Sequence, residues 1–145
     1  MIAKRAVIVV GSHHVGKSKT INRYLKPRLG IRETQHRFSL GERIGTVLSQ
    51  SREEAATQRG IVLSQSFEEA GRCEYIADFV LKYAHFELLV LAARPSDENP
   101  SCLLALKAKL WDAGYKVRDI LLVGGQAESY YRGAAETILM HLRIK

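Results

Sequence analysis

The sequence predicts an α/β chain, a three-layer sandwich whose mainly parallel sheet of about five strands is flanked by helices. Three observations carry this. Short apolar runs alternate along the chain with helical patterns. Ala6–Val10 and Leu88–Ala93 are apolar at every position, as strands buried on both faces of a parallel sheet require. Finally, 145 residues, 46% of them apolar, suit one domain over 1–145 that buries its own core.

The elements follow in order. Ala6–Val10 reads as the first strand. After a glycine-bounded loop, a helical pattern runs from Lys17 to Leu29, with Ile21, Tyr24, Leu25 and Arg28 on one face. Gly30 suits its C-terminal stop, and Pro27 should disturb the last turn. His36–Leu40 and Ile44–Leu48 suggest two strands around a turn, although Ile44, Val47, Leu48, Ser51 and Ala55 also fit helix spacing. The segment Gly45–Ala55 recurs fifteen residues later as Gly60–Ala70, and the second copy reads as strand Ile61–Ser66 followed by a helix start. Ser66 and Glu69 there have capping-box spacing. A helix over Glu68–Ala84 would bury Cys73, Ile76, Ala77, Val80 and Leu81. Phe86–Ala93 is a strand, and Arg94–Pro100 a polar loop. Ser101 caps a helix ending at Ala113 before Gly114. Val117–Val123 is a strand, Gly124–Gln126 a turn, and Ala127–Arg143 the final helix, with Trp111, Tyr130 and Tyr131 on apolar stripes.

One motif stands out. Gly11-Ser12-His13-His14-Val15-Gly16-Lys17-Ser18 matches G-x-x-x-x-G-K-[ST] at every fixed position, between a strand and a helix. The two glycines let the backbone curl its N–H groups toward one anion, and the helix beginning near Lys17 adds partial positive charge. Lys17 would reach phosphate as a point charge, and the Ser18 hydroxyl would ligate Mg²⁺. On these residues the chain resembles the P-loop NTPase superfamily, as a small kinase-like member. The match is specific over about residues 5–29. The resemblance implies a nucleotide-binding domain that holds ATP, or another nucleoside triphosphate, with Mg²⁺, and that transfers or hydrolyses its terminal phosphate.

Other positions are read both ways. P-loop enzymes usually carry an acid at the end of a strand beside the first. Ile61–Ser66 ends without one, so Glu68 and Glu69 are the acidic catalytic candidates, although capping and the helix dipole are the favoured explanation of both. Asp97 and Glu98 form a second acidic candidate, and Glu33 a candidate base. Arg94 is either an arginine finger or a surface arginine before proline. His13 and His14 fill variable loop positions beside the phosphates, and Gln126 would contact a base or simply close a turn. The guanine motif N-K-x-D is absent from the sequence, which favours adenine.

Charge bears on partners. Lys4, Arg5, Lys17, Lys19, Arg23, Lys26, Arg28, Arg32, Arg37 and Arg43 face only Glu33 and Glu42 in residues 1–43, more than the whole net charge of +7. An anion site near the N-terminus accounts for this better than a nucleic-acid stripe, which would draw on more of the chain. Lys19, Arg23 and Lys26 alternatively form a solvated helix face. A nucleic-acid-associated ATPase, and a regulatory module that binds ATP without turnover, remain alternatives. Apolar runs are too short to span a bilayer, and no signal-peptide pattern opens the chain, so a cytoplasmic location is expected. Cys73 and Cys102 read as buried free thiols, and their spacing signals neither a disulfide nor a metal site.

Overall fold

Seven consecutive residues of the first strand, β1 (Lys4–Val10), pair along their whole length with β5 (Tyr115–Leu121) in the computed structural model, which describes residues 4–12, 15–40, 58–98 and 101–143. On its other side β1 pairs with β4 (Leu88–Ala93), and β4 with β3 (Gln58–Val62), all in parallel. β2 (Arg37–Leu40) joins β3 antiparallel, which gives the order β2-β3-β4-β1-β5. The five-stranded sheet is therefore mostly parallel but mixed.

Apolar side chains leave β1 and β4 on both faces, as continuous hydrophobic strands must. Ala6, Ile8, Leu89 and Leu91 face one core with Ile76 and Val80 of α2 (Ile76–Tyr83) and Leu103, Leu106 and Leu110 of α3 (Leu103–Asp112). Val7, Val9, Leu88 and Val90 face the other, with Ile21 and Leu25 of α1 (Lys19–Arg28) and Ile138 and Leu142 of α4 (Glu128–Arg143). Helices thus cover both faces of the sheet. β5 is an edge strand, and its exposed Lys116, Arg118 and Asp119 are charges of the kind that discourage further pairing. No described helix is long and apolar enough to cross a membrane.

Several elements differ from expectation. Helix α1 is π-type over Lys19–Leu25 and α over Lys26–Arg28. A proline ring at position 27 would press on the Arg23 carbonyl in an ordinary helix, and the wider turn ahead of it relieves that clash. The helix expected over Glu68–Ala84 is broken. Ser66 Oγ accepts the Glu69 N–H at 3.1 Å, but the turn it caps closes at once. Arg72 N–H reaches Phe67 O at 2.8 Å and Gly71 N–H reaches Glu68 O at 3.2 Å, with Gly71 at φ 67°. This pattern of bonds terminates a helix. A 3₁₀ turn, Cys73–Tyr75, then leads into α2.

The shorter helix turns a narrower face inward. Ile76 and Val80 are buried, whereas Ala77 and Leu81 are exposed and Cys73 is half-buried. Likewise β3 ends at Val62 rather than Ser66, and β5 spans Tyr115–Leu121 rather than Val117–Val123. Trp111, expected on an apolar stripe, is 69% exposed, while Tyr131 is buried. The partner of β2 is β3, and the strand expected at Ile44–Leu48 lies outside the described residues.

Candidate functional site

The loop after β1 is pinned from both sides. Gly11 N–H donates to Ala93 O at the end of β4 (3.0 Å), and Leu122 N–H, just beyond β5, donates to Val10 O (2.8 Å). Parallel strands bring the loops after β1, β3, β4 and β5 to one edge of the sheet, where crevices suited to ligands form. A side chain at Gly11 would collide with Val15 and contact Lys17 and Leu122. Gly16 has φ 105°, and its would-be Cβ lies 2.6 Å from the Tyr131 ring. Tyr131 is held in turn by Val123 O, which accepts its hydroxyl at 3.2 Å.

Helical backbone begins at Lys17, and Thr20 N–H donates to Gly16 O at 2.9 Å. The N–H groups of Lys17, Ser18 and Lys19 therefore precede the first acceptors within the helix. Lys17 is only 4% exposed. Its ammonium folds back onto the loop it closes, donating to Gly11 O and, at 3.2 Å, to Ser12 O. Burial pushes its pKa below the usual lysine range. The negative charges of Glu69 and then Glu68 oppose that, Arg94 reinforces it, and Glu98 opposes it again.

Lys17, Glu68, Glu69, Arg94 and Glu98 thus share one electrostatic neighbourhood, although they arrive on three separate loops. Ser12 Oγ donates to Glu98 Oε2, so the second acidic candidate touches the loop directly. Asp97 is exposed. Arg94 follows β4, which is the immediate neighbour of β1, and its buried Nε has no hydrogen-bond partner among the described residues. Glu68 is 7% exposed, and its Oε2 accepts the Cys102 N–H at 2.7 Å, so it caps α3 together with Ser101, whose Oγ accepts the Leu103 N–H at 3.4 Å. The Ser18 side chain is exposed.

Other candidates fall elsewhere. β4 lies between β1 and β3, so the strand examined for an acidic end is not adjacent to the loop-bearing strand. Glu33 is exposed, and its carbonyl accepts the Lys26 ammonium at 2.5 Å. Lys26 itself is fully buried, so the proposed solvated stripe fails at its third member, and burial lowers the Lys26 pKa. Lys19 pairs with Glu128 at 2.8 Å, and Arg23 lies 3.9 Å from the same carboxylate. Gln126 is exposed, its Nε2 donating to Gly124 O at 3.3 Å and its N–H to the Tyr131 hydroxyl at 3.3 Å. His13 and His14 lie outside the described residues.

Two features escaped the sequence. Tyr131 forms the floor beneath Gly16, although it reads as ordinary helix packing. Cys73 and Cys102 come together with Glu68, one donor atom of each lying within 4.8 Å of the others. Burial, and then Cys73 and Glu68 beside it, raise the Cys102 thiol well above the usual range. The strand order, which sets the loops after β3 and β4 side by side, signals the second arrangement, and it also puts β5, which the Tyr131 helix follows, beside β1. Comparisons of the chain with protein-family models, curated proteins and solved structures give no match.

Proposed function

We propose that Gly11–Ser18 binds the triphosphate of a nucleotide, Mg-ATP, and that the charged residues gathered at Lys17 serve phosphoryl transfer or hydrolysis. The observation carrying this reading is the buried Lys17 ammonium, closed over the backbone of a loop whose glycines admit no side chain. Two carbonyl oxygens are poor recompense for a desolvated cation, and phosphate oxygens would be far better partners. With nucleotide present, Lys17 swings from Gly11 O and Ser12 O to the phosphates. The first-turn N–H groups at Lys17–Lys19 complete the cradle.

A hydroxyl and carboxylates are hard oxygen donors of the kind magnesium takes, so the residues fit the ion. Ser18 and Glu69 would hold it, and bound there it would neutralise charge on the phosphoryl group in flight. Of the two glutamates, Glu69 acts more strongly on Lys17, which makes it the better-placed acid. Arg94, whose buried Nε has no partner among the described residues, orients and neutralises the transferring group.

A second reading is binding without turnover, as in a regulatory module. What favours it is the run Leu91-Ala92-Ala93 ending the strand next to β1, followed by Arg94 rather than an acid.

The test is thermal unfolding with and without Mg-ATP, alongside ADP release. ATP at about a hundred times Kd stabilises the wild-type chain by about 2.7 kcal/mol. Lys17→Ala abolishes that gain, and Arg94→Ala lowers turnover on the order of a thousandfold. Stabilisation without turnover selects the second reading. Absence of stabilisation by every nucleoside triphosphate overturns both.

A further inference from the structure

We propose that Glu68, Cys73 and Cys102 form a binding site for a soft divalent cation, zinc, with one coordination position open to a neighbouring cavity. The three residues come from different segments. Glu68 lies in the single turn after β3, Cys73 opens the 3₁₀ turn before α2, and Cys102 is the N-cap of α3. Their donor atoms lie within 4.8 Å of one another. Around a tetrahedral zinc ion with Zn–S bonds of about 2.3 Å, ligand atoms sit about 3.8 Å apart. Small side-chain rotations close that gap.

The carboxylate is already oriented as a ligand requires. Glu68 Oε2 is fixed by the Cys102 N–H at 2.7 Å, whereas Oε1 is buried and has no hydrogen-bond partner among the described residues. A carboxylate oxygen sealed from water without a partner is strongly unfavourable, and a cation resolves it. The backbone bond to Oε2 is the kind of outer contact that holds metal ligands in place. Two sulfurs in the set select zinc over magnesium.

Both thiols also wall a cavity of 330 Å³, with Glu74, Ser96 and Ser101 beside them. Three protein ligands and an adjoining open cleft, apolar at Leu104 and Ala105 and polar at Glu74, Ser96 and Ser101, leave the fourth position for water or an exchangeable oxygen donor, as in sites that act on a ligand rather than merely brace the fold. On binding, each thiol releases its proton to solvent as its sulfur bonds the metal. No redox change is involved. None of the three ligands belongs to the loop Gly11–Ser18, although the Glu68 charge is felt at Lys17, so metal uptake is read in the absence of nucleotide.

The full chain, reduced and stripped with chelator, is titrated with Co²⁺. One cobalt per chain should bind, with a near-ultraviolet sulfur-to-cobalt band and intense tetrahedral visible bands, all abolished by Zn²⁺. Cys73→Ser, at a half-buried position, should weaken the band and raise the cobalt Kd at least about tenfold, with circular dichroism reporting that the variant is folded. The proposal is overturned if the wild type gives no sulfur-to-cobalt band. It is equally overturned if the band survives intact in both Cys73→Ser and Cys102→Ser, or if the purified chain holds the two sulfurs as a disulfide and takes up no metal when reduced.

Discussion

At Gly16 the chain combines a φ of 105° with a tyrosine ring 2.6 Å from where a β-carbon would stand. Gly16→Ala meets both objections together, strain in the left-handed region and a collision with Tyr131. It should cost on the order of 1–3 kcal/mol in urea unfolding and abolish stabilisation by ATP, because the backbone strain falls within the loop that would hold the phosphates. Lys17 illustrates what a motif reveals. Its place at the mouth of the loop was legible because glycine and lysine occur at fixed spacing for a local, backbone reason. Tyr131 was not, because nothing near residue 131 encodes what lies on top of it. Trp111 and Lys26 were misjudged for related reasons. Helical spacing places a residue on a stripe, but only the neighbouring elements decide how wide the buried stripe is. Lys26 is enclosed through its contact with the Glu33 carbonyl, in a segment with no readable pattern.

Ser66 shows the same division at the level of elements. The sequence signal for a cap was sound, since its hydroxyl accepts the Glu69 N–H. The following helix was overextended because Gly71 is also a natural terminator, and the apolar spacing beyond it resumes in phase by way of the 3₁₀ turn Cys73–Tyr75. Ser66→Ala should cost about 1 kcal/mol and lower Tm by roughly 3 °C. Because that turn carries both Glu68 and Glu69, calorimetry on the same variant should show weaker nucleotide binding as well. Strands β1 and β4 were legible at their C-terminal ends and two residues off at their starts, since the apolar runs Ala6–Val10 and Leu88–Ala93 leave their bodies no other role. β2 and β3 were harder. An antiparallel partner at the sheet edge depends on long-range pairing that the local pattern of residues 37–62 does not specify.

For the molecule as a whole, the alternation of strands and helices settled the layers, while the strand order had to be seen. Tyr115 ties the two together. Its buried hydroxyl donates to Phe86 O at 2.6 Å, joining the start of β5 to the segment before β4. Burial, with the Glu87 charge adding to it, pushes its pKa up to about 12 from 10.0. Below pH 10 the phenol is neutral in both folded and unfolded chains, and its contribution is complete. Between pH 10 and about 12 only the unfolded chain releases the proton, so stability falls by on the order of 2–3 kcal/mol. Lys17 and Lys26 act with the opposite sign below 10.5, where the unfolded chain holds more protons and rising pH relieves the cost of burying them. Tyr115→Phe should therefore lose about 1 kcal/mol at neutral pH but show a smaller alkaline decline than the wild type in urea titrations. The position of β1 has one more consequence. Enclosed by β4 and β5 at its edges and by helices above and below, it is the segment whose amide hydrogens swap with deuterium only when everything opens. The loop that closes around Lys17 is thus moored to the last part of the molecule to let go.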